Sequence, residues 1–107
     1  MFYMVATFDL RLPGATPTDV ERHYLERHVP LARRLPGLRA YVVGTLAATP
    51  SIPADRRRGA ILAFDSEDAW RAAYRSPAGR ELRDDERRLI AEPRIVLLRG
   101  AEVVPTP

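Results

Sequence analysis

Residues 16–38 read TPTDVERHYLERHVPLARRLPGL, and their apolar positions recur at the spacing of an amphipathic helix. At about 100° per residue, an arc of about 80° measured from Val20 holds Tyr24, His28, Leu31 and Leu35. One face of this helix is therefore apolar, and a histidine lies on that face.

Both the start of this helix and an interruption within it are visible in the sequence. Thr16 can cap the helix, Pro17 suits its first position, and Asp19 can complete a capping box near the positive end of the helix dipole. Pro30 lacks the amide hydrogen that a continuing helix needs, so we expect a kink or a restart directly after His28. That break would leave the histidine beside loosened backbone, where a small ligand can reach it.

Residues 2–10 alternate in character with a period of two and predict a strand. The more apolar side comprises Phe2, Met4, Ala6, Phe8 and Leu10. We expect this side to pack against the helices. Residues 38–47 predict a second strand that is apolar on both sides, so both of its faces should be covered. We place on the face away from the helices Tyr3, Val5, Tyr41 and Val43.

The rest of the chain alternates between strands and helices in a recognisable order. Residues 48–58 predict a surface loop, 59–64 a central strand, 65–75 a capped helix, and 76–91 a second helix ended by Pro93. Residues 94–104 predict the last strand, before a frayed tail at 105–107. The order is typical of a ferredoxin-like βαββαβ fold of the α+β class, with a four-stranded antiparallel sheet and helices on one face. The 107 residues form one domain, 1–107.

The second face of the sheet carries too much apolar surface to meet water alone. Two sheets packed face to face would cover it, which predicts a homodimer of the dimeric α/β barrel type. Composition excludes several other classes of protein. The chain has no cysteine and a net charge of +3, so thiolate chemistry is excluded and a nucleic-acid partner is not expected. No leader or membrane-length apolar run is present, and we expect a cytoplasmic protein that does not enter membranes.

Two segments, HYLERHVPLARRLPGLRAYV and AFDSEDAWRAAYRSP, together with the capped start TPTDV, resemble the EthD-like family of dimeric α/β barrels. The resemblance covers nearly the whole chain as one EthD-like domain. It implies action on small, often aromatic or polyketide-like molecules without a metal or prosthetic group, although members do not share one reaction. Methylmuconolactone methylisomerase, in the wider group, resembles this chain in its separation of a helix histidine from a strand tyrosine, here His28 and Tyr41. Its associated cysteine is missing from this chain.

The candidate catalytic residues are His28 and Tyr41. His28 is either a general acid or base in a pocket between helix and sheet, or a buried imidazole that supports the helix kink. Tyr41 either donates a hydrogen bond from its hydroxyl to a substrate carbonyl, or is an interface or core aromatic residue whose hydroxyl is hydrated. The pocket would add as substrate-binding residues Phe2, Met4, Phe8, Tyr24 and Leu62.

Other candidates receive structural interpretations. His23 lies about 140° from His28 on a regular helix, so the two cannot chelate one ion, and we interpret it as a surface histidine. Phe64, Trp70 and Tyr74 are interpreted as core aromatics. No metal site or cofactor is expected.

Two functions from different classes remain open. One is a cofactor-independent enzyme, an isomerase or an oxidoreductase of the monooxygenase kind, that transfers a proton, isomerises or oxygenates a small cyclic metabolite. The other is a non-catalytic dimeric module that binds such a molecule. Haem handling is a weaker third, because one inward histidine is poor evidence for an axial ligand.

Overall fold

The computed structural model describes residues 1–52 and 57–104. The strands are β1 (Phe2–Leu10), β2 (Ala40–Thr45), β3 (Arg58–Phe64) and β4 (Ile90–Arg99). The helices are α1 (Pro17–His23), a π-helix (Tyr24–His28), α2 (Val29–Arg33), α3 (Glu67–Arg75) and α4 (Pro77–Leu89). The predicted loop at 48–58 falls partly outside the described residues, and the predicted tail at 105–107 falls wholly outside them.

The four strands form one antiparallel sheet in the order β2-β3-β1-β4. The alternation predicted for β1 is confirmed, because one of its sides is buried against the helices through Phe2, Met4, Ala6 and Phe8. The helices lie on this face of the sheet, so the ferredoxin-like α+β fold predicted from the order of elements is also confirmed.

Serine and threonine side chains begin the helices where the sequence places them. The Thr16 hydroxyl accepts a hydrogen bond from the Asp19 amide at 3.1 Å, and the Ser66 hydroxyl accepts one from the Ala69 amide at 3.1 Å. Ser76 caps α4 in the same way, through the Gly79 amide at 3.0 Å. These bonds satisfy amides that have no partner within the helix, and so fix where each helix starts.

The first helical stretch is interrupted by the π-helix at Tyr24–His28. The amide of Val29 donates to the carbonyl of Tyr24, five residues earlier, in place of the usual four. Pro30 follows at once, and its missing amide hydrogen removes one bond of the regular ladder. The predicted restart after His28 is confirmed, since α2 begins at Val29.

The side chains of β2 point to the opposite faces of the sheet from those that we predicted. Tyr41 pairs with Leu62, which pairs with Met4 on the buried side of β1. Tyr41 and Val43 therefore lie on the helix face, and placing them on the opposite face was wrong. Adjacent residues of a strand point to opposite faces, and a segment that is apolar on both sides gives no signal to choose between the two.

The last strand also starts earlier than predicted. Helix α4 ends at Leu89, and Pro93 lies inside β4 and not at the end of the helix. β4 is an edge strand, and its pairing with β1 shifts register between Thr7 and Asp9, where it contains an extra residue. A proline is tolerated at such an edge bulge because no ladder bond needs its amide.

Arg57, the residue immediately before β3, stabilises this bulge through its side chain. Its guanidinium donates to the carbonyl of Thr7 at 2.7 Å and also to the carbonyl of Glu92. The side chain is 8% exposed. A run of arginines such as 56–58 is typical of a solvated surface, yet Arg57 is buried. Arg56 lies outside the described residues.

The face of the sheet away from the helices is apolar and open. Val5 of β1 has Ile61 and Val96 as its cross-strand neighbours, and Val42 is next to Ile61. This row continues through Tyr3 to Leu98. The aliphatic members are 41% to 63% exposed, namely Val42, Ile61, Val96 and Leu98.

The junction between α3 and α4 is tightly packed, and we predict that Gly79→Ala destabilises the fold. A Cβ atom at Gly79 would lie 2.3 Å from the carbonyl oxygen of Ala73 and 2.6 Å from the Cα of Tyr74. Overpacking against backbone should lower the free energy of unfolding by about 1–3 kcal/mol. Gly44→Ala is the control, because a Cβ there meets nothing within 4 Å. Urea denaturation of both variants measures the difference, and equal midpoints would contradict this packing.

Candidate active site

A cavity of about 530 Å³ lies between the helix face of the sheet and helices α3 and α4. Its apolar lining comes mainly from the strands and α3, through Met4, Phe8, Tyr41, Leu62, Trp70 and Tyr74. Its polar lining comprises His28, Glu86 and the four arginines Arg71, Arg75, Arg83 and Arg87. An apolar cavity of this volume with a few polar groups is typical of a small-molecule site.

His28, the histidine that lines this cavity, is hydrogen-bonded to Asp85 of α4. His28 Nδ1 lies 3.0 Å from Asp85 Oδ2, and His23 Nε2 lies 2.7 Å from Asp85 Oδ1. An ionised carboxylate can only accept, so both histidine nitrogens must carry hydrogen and donate to it. This assigns His28 the tautomer protonated at Nδ1 and leaves Nε2 with its lone pair. Nε2 makes no hydrogen bond within the described residues, so it is available to a ligand.

The π-helix explains why two histidines five residues apart reach one carboxylate. On a regular helix they would point about 140° apart, which was the basis for calling His23 a surface residue. The π-helix between them widens the turn and brings positions five apart onto the same side. The interpretation of His23 as an isolated surface histidine was wrong, since its side chain is 19% exposed and bonded to Asp85.

Burial and hydrogen bonding set the charge states of this group. Burial lowers the pKa of His28, and the Asp85 carboxylate only partly opposes this effect. Burial alone would raise the pKa of Asp85, but the hydrogen bonds from His23 and His28 outweigh it and bring that pKa below its usual value. At neutral pH the aspartate is therefore ionised and His28 is neutral.

Two tyrosines and a carboxyl group also line the cavity, namely Tyr41, Tyr74 and Glu86. Burial raises the pKa values of Tyr41 and Tyr74, so both keep their hydroxyl hydrogens at neutral pH. Burial also raises the pKa of Glu86 to about 7. Trp70 also lines the cavity, and its Nε1 is buried with no hydrogen-bond partner among the described residues.

The structure brings together most of the residues that the sequence nominated. His28, Tyr41, Met4, Phe8 and Leu62 all line the cavity. Phe2 and Tyr24 are buried behind it and are not part of its lining.

These two aromatic residues support the cavity walls. Phe2 packs on Trp70 with ring centroids 5.2 Å apart. Tyr24 stacks on His28 at 5.6 Å with an angle of 18° between the rings. Their contacts orient two side chains that do line the cavity.

The aromatic residues of β3 and α3 divide into two groups. Phe64 is fully buried in the core, as predicted. Trp70 and Tyr74 pack against the core, as predicted, and they also line the cavity. Their spacing along α3 indicates an inward face but does not distinguish a packed core from a cavity wall.

Sequence reasoning missed Asp85 and Glu86. They lie in the run RELRDDERRL of α4, which has the charge pattern of a solvated helix face. The one available signal was position, since Leu82, Asp85 and Leu89 recur three and four residues apart and are all buried. A carboxylate on an apolar stripe indicates a buried partner, and the histidines supply it.

The family of the protein follows from sequence comparison. The sequence model of the EthD domain matches residues 12–93, which include the histidines, β2, β3 and both cavity-lining helices α3 and α4. The chain belongs to the EthD family. No curated protein matches the sequence significantly.

Solved structures share the fold of this EthD protein at low sequence identity. An EthD family protein from Bacillus halodurans is 18% identical with a TM-score of 0.71, over 94% of this chain and 100% of that one. SnoaB, a cofactor-independent oxygenase from Streptomyces nogalater, is 19% identical with a TM-score of 0.65, over 98% and 97%. A dimeric ferredoxin-like protein of unknown function from Thermobifida fusca is 21% identical with a TM-score of 0.67, over 91% and 88%.

Residues 1–52 and 57–104 contain neither a candidate membrane-spanning helix nor a metal-binding cluster. None of the helices there combines the length and the apolar character that a bilayer crossing requires. In the same residues, no group of three or more His, Cys, Asp or Glu side chains is placed to hold a metal ion.

We predict that nitrogen NMR of the imidazole rings will find His28 protonated at Nδ1 and neutral at pH 7. Its titration midpoint should fall below the usual 6.5 because burial lowers its pKa. Asp85→Asn should abolish the fixed tautomer, since an amide can accept from one ring and offers hydrogens to the other. His28 signals of the Nε2-protonated form in the unaltered protein would contradict this geometry.

Proposed function

We propose that this EthD protein is a cofactor-independent enzyme that moves protons on a small cyclic, aromatic or polyketide-like molecule, with His28 as the general base. The observation that carries the proposal is the bond from His28 Nδ1 to buried Asp85, on the wall of a cavity of about 530 Å³. A histidine held in one tautomer by a carboxylate presents its other nitrogen as a base.

The electrostatics of the pair favour this role. A neutral imidazole is required to accept a proton, and the lowered pKa of His28 keeps it neutral at pH 7. When it accepts a proton, the adjacent Asp85 carboxylate stabilises the imidazolium that forms. Asp85 thus acts through His28 and is a positioning residue, and His23 in turn orients Asp85.

Tyr41 would stabilise the substrate. Its hydroxyl lines the cavity in its neutral form, so it can donate to a carbonyl oxygen that gains negative charge as a neighbouring carbon loses a proton. The apolar floor of the cavity suits a planar ring, and the low dielectric there strengthens such a bond. Isomerisation and oxygenation without a cofactor can both start with this proton removal.

The relatives support small-molecule chemistry on this fold. SnoaB is a cofactor-independent oxygenase, and two further neighbours of similar fold are described as putative antibiotic biosynthesis monooxygenases. Proton removal by His28 is the step that this chain's own residues provide. Oxygenation would additionally take molecular oxygen as the oxidant, and isomerisation needs no other reactant.

A non-catalytic binding module is the second candidate. The aromatic cavity wall favours ligand binding without requiring ionisation of His28. Trp70 is the only tryptophan in the chain, so its fluorescence reports directly on cavity occupancy. Binding without turnover would select this second function.

We predict that the protein accelerates exchange of the protons α to the carbonyl of 2-tetralone for deuterium in heavy water. His28→Ala should lower this rate about 10²-fold or more, because it removes the proton acceptor. Tyr41→Phe should have the smaller effect, because it removes one hydrogen bond of about 1–3 kcal/mol. Proton NMR follows the exchange, and quenching of Trp70 follows binding.

The matched control is Leu25→Ala, since Leu25 lies on the same π-helix with 52% of its surface exposed. It should leave both exchange and melting temperature unchanged. His23→Ala is not a neutral control, because the residue donates to Asp85. Exchange at the full rate by a folded His28→Ala protein would refute the catalytic proposal. Ligand quenching without exchange by the unaltered protein would favour the binding module.

We propose further that two chains pair through the outer faces of their sheets. The open row of Tyr3, Val5, Val42, Ile61, Val96 and Leu98 is a contiguous apolar patch of the kind that rarely remains exposed on a monomer. A second copy would bury this surface twice, in a symmetric contact. The Thermobifida fusca neighbour, described as dimeric, supports the same arrangement.

Light scattering at micromolar concentration should therefore give twice the mass of one chain. Val96→Glu should shift the protein toward monomer, because it places a charge at the centre of the buried patch. Val103→Glu is the matched control, since this valine is 91% exposed beyond the sheet. A folded, unaltered protein that scatters as a monomer at this concentration would refute the paired sheets.

A further inference from the structure

Glu86 is an exception among the acidic residues of α4. Glu81 and Asp84 form ion pairs with Arg34 and Arg87 at 3.3 Å and 2.7 Å. Asp85 accepts from two histidines. Glu86 makes no hydrogen bond or ion pair among the described residues, although it lines the cavity and arginines lie near it on its own helix.

The surroundings of Glu86 keep a proton on it near neutral pH. Burial raises its pKa to about 7, against the charges of Arg83 and Arg87, while the negative charge of Asp85 adds to the effect. The other titratable groups that face it are the neutral hydroxyls of Tyr41 on β2 and Tyr74 on α3. His28, Arg71 and Arg75 line the same cavity.

We propose that Glu86 is a second catalytic residue of this cavity, the proton donor that complements His28. The proposal rests on the proposed function and specifies its substrates as enolisable cyclic ketones. His28 Nε2 takes a proton from the carbon next to the carbonyl. The electron pair of that C–H bond forms the C=C bond, and the carbonyl oxygen takes the Glu86 proton. The products are an enol, an imidazolium and a carboxylate, and the reverse transfers return a proton to the same or a conjugated carbon.

Glu86 lowers the stability of the folded protein near neutral pH. Its pKa is raised in the folded state, so folding is disfavoured progressively as the pH rises from about 4.5 to about 7. Glutamine has the same shape and no charge to bury. Glu86→Gln should therefore raise the melting temperature at about pH 8 relative to the unaltered protein, with little difference at about pH 5.

The effect of Glu86→Gln on the exchange rate shows whether Glu86 is catalytic or only lowers the stability of the fold. Deuterium exchange into 2-tetralone by the unaltered protein should rise with pH as His28 loses its proton and fall above about pH 7 as Glu86 loses its own. In Glu86→Gln the maximum should drop about tenfold or more and the falling limb should disappear. Glu81→Gln, the same change at an ion-paired residue of the same helix, should keep both limbs.

The outcomes distinguish this proposal from the proposed function. A stabilised Glu86→Gln protein that exchanges at the full rate and keeps the falling limb would overturn the role of Glu86 while leaving His28 as the base. If His28→Ala abolishes exchange but Glu86→Gln leaves the exchange rate unchanged, the role of Glu86 is likewise overturned and His28 remains the base. Failure of the unaltered protein to accelerate exchange would overturn the proposed function itself, and the role of Glu86 with it.

Discussion

The carboxylate of Asp85, 2% exposed, constrains the rest of the site. A buried charge is costly unless hydrogen bonds replace its hydration. Here His23 and His28 supply the two shorter bonds from another helical stretch, and Arg88 adds a longer one, at 3.4 Å, from α4 itself. His23 and His28 therefore fix the first helical stretch against α4. This contact fixes the orientation of the His28 imidazole on the cavity wall.

The π-helix at Tyr24–His28 makes this contact possible. Pro30, two residues after His28, already removes one backbone hydrogen bond of the helix. A π-helical turn therefore costs fewer hydrogen bonds there than it would in an uninterrupted helix. In return, two donors reach one carboxylate, and Tyr24 stacks on the ring of His28. The irregular backbone and the buried charge support each other, which is why such bulges are found at sites that align side chains.

Most of the fold is predictable from local patterns, and the site is predictable only in part. The alternation in β1 and the capped starts at Thr16, Ser66 and Ser76 determine their elements, because period and capping chemistry are local. The side that Tyr41 faces is not local, since only pairing with β3 selects it. The histidine contact with Asp85 joins residues 57 and 62 positions apart and depends on a bulge that helical periodicity misplaces.

Asp85 and Glu86 show how one helix can hold two carboxyl groups in opposite states. Consecutive helical residues point about 100° apart, so one side chain reaches the histidines and its neighbour reaches the cavity. The first accepts from two histidines and from Arg88 and loses its proton readily. The second has no donor among the described residues and keeps its proton to about pH 7. Environments that drive the pKa values of like groups apart are the usual way in which proteins assign acid and base roles. Here the division follows from helix geometry and the placement of two histidines.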